Sequence, residues 1–190
     1  MGKLIKTFGE HIYNMLGFKL RKYQKHVAIK IIEALKNDSR LIIVSMPTSS
    51  GKTLIEIFTA YYGIHRGIPR ILVLEPTRFL CDQMYSGKDR EGGLWGKVFD
   101  NLVGKEYEGD CGSFLEPGKR IIISTPQTAL KCISTLKEEF GIIDEVHHAF
   151  GEKHYMELLL ELNPDFIIGF TALLLSHKRY RLDPRIKTCW

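Results

Sequence analysis

No run of apolar residues in this chain approaches the roughly 18 needed to cross a bilayer. The longest candidate, 166–175, is strand-sized and is interrupted by Gly169 and Thr171. No leader is expected either: residues 1–16 carry Lys3, Lys6 and Glu10 and lack an apolar block. These absences argue against a membrane partner and for a cytoplasmic protein. Cysteine is sparse. Cys81, Cys111, Cys132 and Cys189 show no metal-ligand or redox spacing, so the expectation is free thiols in a reducing cytosol. No internal repeat or low-complexity run is present, which excludes solenoid and disordered classes.

What remains is an ordinary globular composition. The chain has 190 residues, of which 44% are hydrophobic and 26% charged, enough for one sizeable domain with a real core. The net charge of +5 is unevenly spread. Residues 1–30 hold seven basic residues and one acid, and residues 176–190 hold five and one. Residues 31–175 hold 15 basic and 20 acidic residues, so the ends are basic and the body acidic. Basic ends suit nucleic acid, and they equally suit solvated termini.

Hydrophobic periodicity predicts alternating helices and strands. A helix over 3–16 has Leu4, Ile5, Phe8, Ile12, Met15 and Leu16 as its apolar face. A second follows Phe18–Gln24, with Val27, Ile29, Ile31, Ile32 and Leu35. Strands are predicted at 41–44, 70–74, 120–124, 140–143 and 166–170, and helices at 52–64, 79–84, 128–136 and 154–162. Residues 85–118 hold eight of the 17 glycines, so they read as loops with one possible strand at 98–103. Most strands are continuous apolar runs, which predicts a parallel sheet covered by helices on both faces.

The central stretch is Leu41-Ile42-Ile43-Val44-Ser45-Met46-Pro47-Thr48-Ser49-Ser50-Gly51-Lys52-Thr53. An apolar run, read as a buried parallel strand, enters a turn of small residues, and Gly-Lys-Thr opens a helix. Such a turn lets backbone N–H groups curl around an anion, and the helix directs its positive end there. Lys52 would reach the outer phosphates and Thr53 would ligate Mg²⁺. Met46 stands where the usual G-x-x-x-x-G-K-[ST] pattern has its first glycine. The plainer reading is a lysine at a helix start.

In open parallel sheets, ligands bind beyond the carboxyl ends of the strands. Lys52, Thr77, Arg78, Thr125, Asp144, Glu145 and Thr171 all fall at predicted strand ends. Asp144 is the carboxylate expected opposite the phosphate loop, to hold Mg²⁺, and Glu145 is placed to polarise water. A solvated acidic pair at a strand end is the plainer alternative.

The ordered set resembles the first RecA-like domain of superfamily 2 helicases and translocases. Phe18–Gln24 is similar to the Q motif, Met46–Thr53 to motif I, and Pro76-Thr77-Arg78 to motif Ia. Ser124-Thr125-Pro126-Gln127 is similar to motif Ib, Asp144-Glu145-Val146-His147 to motif II in its DExH form, and Thr171-Ala172 to motif III. Leu20-Arg21-x-Tyr23-Gln24, the Thr-Pro-Gln of motif Ib and the pair His147-His148 resemble the Dicer-like and archaeal Hef-like branch. Restriction-enzyme motor subunits share some of these features.

The resemblance implies a RecA-like ATP-binding domain over 1–175, with a helical extension over 1–37. Residues 176–190 would be a basic tail or the start of an interdomain linker. It implies ATP and Mg²⁺ as cofactors. ATP would be held by Gln24, which reads adenine, and by Thr48, Ser49, Ser50, Gly51, Lys52 and Thr53. Thr53 and Asp144 would hold Mg²⁺. Lys52, Asp144, Glu145 and His147 would act in hydrolysis, with Glu145 as base. Thr77, Arg78 and Thr125 would touch the backbone of DNA or RNA, and Thr171 and Ala172 would couple the two sites. Motifs IV to VI are not matched here, so a second RecA-like domain is expected as a partner C-terminal to this chain. The alternatives are a piece of a restriction-type DNA translocase or a P-loop NTPase of another class.

Overall fold

The computed structural model describes residues 2–86, 93–136, 140–149 and 152–172. The expected basic tail over 176–190, and Cys189 with it, lies outside these residues. Two helices open the chain, α1 (Gly2–Leu16) and α2 (Lys22–Lys36). Then come β1 (Leu41–Ser45), α3 (Lys52–His65), β2 (Ile71–Leu74) and α4 (Arg78–Ser86). They are followed by α5 (Leu94–Phe99), β3 (Val103–Glu106), the short α6 (Gly112–Leu115), β4 (Ile121–Ser124) and α7 (Pro126–Lys131). The described chain closes with β5 (Phe140–Ile143), α8 (Lys153–Leu162) and β6 (Phe166–Thr171).

The strands form one sheet in the order β1-β6-β5-β2-β4-β3, and every pairing is parallel. All carboxyl ends therefore lie along one edge. Side chains alternate across the sheet, and each face feeds its own core. Ile71 and Val73 of β2 join Phe8, Ile12, Ile55 and Phe58 of the helices on one face. Leu72 and Leu74 join Ala129, Tyr155, Leu158 and Leu159 on the other. The expected α/β architecture, a parallel sheet with helices on both faces, is the observed one.

Three local expectations are corrected. The run Leu41–Val44 is not buried on both faces: β1 lies at an end of the described sheet, pairs with β6, and leaves Ile43 39% exposed. An apolar run signals a strand without locating it within its sheet. The possible strand at 98–103 is instead the end of α5, a 3₁₀ turn (Asp100–Leu102) and the start of β3. Trp95, Val98 and Phe99 recur at helical spacing and are all buried, so tertiary packing fixes a helix there. The helix expected to reach residue 136 stops at Lys131 and continues as a 3₁₀ turn (Ile133–Thr135).

The cysteine expectation also changes. Cys111 and Cys132 form a disulfide, with Cα atoms 5.6 Å apart, while Cys81 carries a free, buried thiol. Their separation of 21 residues matches no familiar spacing. The fold brings the loop before α6 against the end of α7, and proximity of that kind is not encoded in local spacing.

Candidate active site

The phosphate loop is shaped by its neighbours. Met46 is buried in the core and continues the β1–β6 ladder, its N–H donating to the Thr171 carbonyl at 2.9 Å. A bulky apolar residue at this point thus anchors the loop. Ser49 (φ 61°) and Gly51 (φ 77°) turn the chain through the left-handed region. The left-handed φ favours glycine at 51, and a Cβ there would meet Gln24 Nε2 at 2.5 Å and push that amide aside.

Gln24 explains that closeness. Its Oε1 accepts the Arg21 N–H at 2.9 Å, closing half of a capping box at the start of α2. Its Nε2 donates to the Ser50 carbonyl at 3.1 Å, and the Tyr23 hydroxyl donates to the same carbonyl. Gln24 is 3% exposed. The first turn of α2 is thereby tied to the phosphate loop.

Opposite the loop stands the tip of β5. Lys52 Nζ lies 2.5 Å from Asp144 Oδ1 and 2.6 Å from Glu145 Oε1, bridging the two carboxylates. Burial opposes the Lys52 charge, but the Asp144 carboxylate and its hydrogen bond outweigh that, and the lysine pKa rises above its ordinary value. Glu145 takes a left-handed conformation (φ 45°), and its N–H donates to Asp144 Oδ1 at 2.7 Å. That turn is what directs two consecutive acids at one lysine.

His147 Nδ1 lies 3.1 Å from Thr171 Oγ1 and 3.3 Å from Glu145 Oε2. Burial, and then the adjacent His148, lower the His147 pKa. Thr171 is 1% exposed at the end of β6, and Ala172 follows it half-buried. Beneath this turn, β6 uses glycine for close approach. A Cβ on Gly169 would meet Val146 Cγ2 at 2.6 Å and Val146 Cβ at 2.8 Å. Gly169→Ala is expected to cost about 1–3 kcal/mol by overpacking. Adding Val146→Ala should recover most of it in a double-mutant cycle read by urea unfolding. Simple additivity would show that the contact is not limiting.

Thr77 and Arg78 are exposed at the carboxyl end of β2, where Thr77 Oγ1 accepts the Leu80 N–H at 3.2 Å and caps α4. Thr125 occupies the equivalent place after β4. It is 4% exposed, and its hydroxyl is engaged with Thr128, whose N–H it accepts while capping α7. The exposed side chain of that turn is Gln127. The structure thus gathers Gln24, the loop, Lys52, Asp144, Glu145, His147 and Thr171 into one cluster, with Thr77, Arg78 and Gln127 further along the same edge.

Two residues here were missed in the sequence. Glu56 and Glu75 are both fully buried and have unpartnered carboxyl oxygens. Burial first, and then the Asp144 carboxylate, push Glu75 up to about 9 and Glu56 well above the carboxylate range. The available signal was an acid inside an otherwise apolar run: Leu54-Ile55-Glu56-Ile57-Phe58 and Val73-Leu74-Glu75.

The cluster fits a Mg²⁺-nucleotide. Ser50 Oγ is buried without a partner in the loop, and Lys52 supplies a cation at the start of a 14-residue helix. The hydroxyls of Ser50 and Thr53 and the carboxylate of Asp144 are hard oxygen donors of the kind Mg²⁺ takes. Mg²⁺ is commonly held by one or two carboxylates together with substrate phosphates, so no all-protein cage is required.

A parallel α/β domain whose phosphate-loop lysine faces an Asp-Glu strand tip is the N-terminal RecA-like domain of the superfamily 2 helicase class. The chain belongs to the family described as Type III restriction enzyme, res subunit, whose model matches residues 17–175. It is 27% identical over 165 residues to Reverse gyrase 2 of Aeropyrum pernix, an alignment covering 83% of this chain and 13% of that protein. It is 28% identical over 134 residues to the ATP-dependent DNA helicase uvsW of Enterobacteria phage T4, covering 68% of this chain and 25% of that one. The fold is similar to the Pyrococcus furiosus Hef helicase domain, with TM-score 0.64, 24% identity, and 88% and 34% of the two chains covered. It is also similar to the UvsW helicase of bacteriophage T4, with TM-score 0.62, 23% identity, and 84% and 54% covered. Among the described residues, no helix is long and apolar enough to cross a membrane.

Proposed function

We propose that residues 1–175 form the ATP-binding half of a two-domain motor that couples Mg-ATP hydrolysis to movement on DNA or RNA. The observation that carries this reading is the bridge from Lys52 to Asp144 and Glu145, on the same sheet edge as Thr77 and Arg78. Thr48 to Thr53 would hold the phosphates, with the Lys52 ammonium exchanging its carboxylate partners for phosphate oxygens. Thr53 and Asp144 would hold Mg²⁺, which when bound neutralises charge on the phosphates. Glu145 would accept the proton of the attacking water. Gln24 is assigned to the adenine, and its bond to the Ser50 carbonyl would make base binding and loop shape interdependent.

His147 and Thr171 are assigned to coupling, since their contact joins the strand tips of β5 and β6. Thr77 and Arg78 would contact the nucleic-acid backbone, a sequence-independent mode of binding. Direct contact after β4 falls to Gln127, with Thr125 shaping the turn that presents it. A second RecA-like domain would supply the arginine that stabilises the transferring phosphoryl group, a contribution of about 10³–10⁵ in rate.

The test is a competition assay. ATP is expected to displace a fluorescent adenine nucleotide from this chain and GTP is not, while steady-state turnover stays at least about 10³-fold below that of a complete motor. Equal competition by GTP would sink the assignment of Gln24. Rapid hydrolysis by residues 1–190 alone would sink the need for a second domain.

A further inference from the structure

Phe79 is the most exposed large apolar side chain among the described residues, at 73%. It sits in the first turn of α4, directly after Thr77 and Arg78, beyond the carboxyl end of β2. The core does not account for it. The buried residues of α4 are Cys81 and Met84, and helical spacing puts Phe79 on the other side of the helix from both. A single exposed apolar residue is ordinary on a protein surface. This one differs in its company.

Arg78 beside it is exposed, and its guanidinium takes part in no ion pair or hydrogen bond among the described residues. The acid one turn along α4, Asp82, is already held by Lys105 at 2.7 Å and by the Tyr107 hydroxyl at 2.8 Å. The turn after β2 therefore presents a cation, the Thr77 hydroxyl and an aromatic face together. The neighbouring turn continues the row. β2 pairs with β4, the Glu75 N–H donates to the Ser124 carbonyl at 2.9 Å, and the Gln127 amide is exposed just beyond.

A phosphodiester satisfies Arg78 and Thr77, but it has nothing for Phe79, whose ring needs a second flat face. In a duplex the bases are paired and stacked inside, and sugars and phosphates line the outside. In a single strand each base offers a π-face beside its phosphate. Cations interleaved with aromatic rings hold such strands without reading their sequence. A protein partner is the other occupant of an exposed phenylalanine; the adjoining cation, hydroxyl and amide favour the polyanion.

We propose that Phe79 stacks on a base and that this edge therefore takes single-stranded DNA or RNA in preference to duplex. The inference rests on the reading of this edge as the nucleic-acid side of the motor, and adds to it the form of the strand. Arg78 and Thr77 hold phosphates, while Phe79 holds a base by its face, whichever base it is.

The experiment uses the full 190-residue chain. Fluorescence anisotropy measures binding of a thymidine oligonucleotide, its uridine counterpart and a blunt DNA duplex across a salt series. The parent chain is compared with Phe79→Ala, Phe79→Trp and Arg78→Ala, after thermal melts confirm folding. The parent should favour both single strands over the duplex. Phe79→Ala should weaken both single strands about tenfold, and Phe79→Trp should restore them. Duplex binding and the salt slope should be the same in Phe79→Ala as in the parent. Arg78→Ala should instead flatten the slope by about 0.7, one phosphate contact on a single strand. An iodouracil-substituted strand should photocrosslink to Phe79, located by mass spectrometry. Equal losses on duplex and single strands would overturn the stacking role. So would Phe79→Ala protein that binds as the parent does while Arg78→Ala is weakened, and the reading of the edge would then stand alone. Normal strand binding with loss of self-association on a sizing column would make the ring a protein-docking residue, which also overturns it. A parent chain that binds no oligonucleotide at low salt would sink the edge reading, and the stacking role with it.

Discussion

Lys52→Ala is expected to abolish Mg-ATP uptake by this chain, weakening it at least about 100-fold. A cation on phosphate oxygens forms charge-assisted hydrogen bonds worth about 1.5–3 kcal/mol each, and Lys52 can make more than one. The same substitution acts on the protein itself. Lys52 bridges Asp144 at 2.5 Å and Glu145 at 2.6 Å, and the three side chains are only 15%, 13% and 28% exposed. Removing the ammonium leaves two carboxylates facing each other with Glu56 and Glu75 behind them. Breaking a fully buried pair costs about 3–5 kcal/mol, and the remaining solvent here reduces that to about 1–3. Calorimetric titration with Mg-ATP and a thermal melt read the two effects separately. Glu145→Gln provides the contrast: it should retain binding and lose whatever turnover the chain has, because it removes a base and leaves the cation in place. Lys52→Ala protein that is less stable yet binds normally would reduce Lys52 to a structural cation and remove it from the site.

The sequence made the sheet legible because parallel strands buried by helices are written as apolar runs, and Ile71–Leu74, Ile121–Ser124 and Phe166–Thr171 are such runs. It made the cluster legible through placement, since Lys52, Asp144 and Glu145 each follow a strand, Thr171 ends one, and all strands point one way. Sheet order was not legible. Nothing within Leu41–Val44 distinguishes a strand at the end of the described sheet from a central one. The Cys111–Cys132 bond escaped for a similar reason, because contacts between distant segments leave no local periodicity. Thr125 shows a further limit. A threonine at a helix start is equally suited to cap the helix or to meet a ligand, and only its burial shows that the hydroxyl is committed to Thr128. Glu56 and Glu75 show the converse: a charged letter in a helix or at a strand end is usually a surface residue, and only the fold buries these two.

The stability of the chain should fall as pH rises from 7 to 8.5, and Glu75→Gln should flatten the fall. In the folded chain, burial and then the Asp144 carboxylate push Glu75 up to about 9 and Glu56 well above its ordinary value of 4.5. In the unfolded chain both ionise near that ordinary value. Between the two values the folded chain binds protons that the unfolded chain has released, so unfolding becomes easier with rising pH. The stabilisation is complete below the unfolded value and is lost as pH rises through the folded one, by at most about 1.4 kcal/mol per pH unit for each group. The window avoids competing groups. His147 has a lowered pKa, so its contribution rises with pH only up to about its ordinary value of 6.5. Lys52 has a raised pKa, and its contribution is lost only above 10.5. Asp82 has a lowered pKa, held down by hydrogen bonding from Lys105, and acts below 3.8. Among the described residues, the shifted groups that act between pH 7 and 8.5 are the two glutamates. A loss of about 1–3 kcal/mol over that span corresponds to a melting point lower by roughly 2–10 °C for a domain of this size. At pH 8.5 Glu75→Gln should melt above the parent chain, because the amide needs no proton to remain neutral. A melting point that rises through this window, or a slope unaltered by Glu75→Gln, would mean that the folded chain tolerates both carboxylates ionised despite their burial.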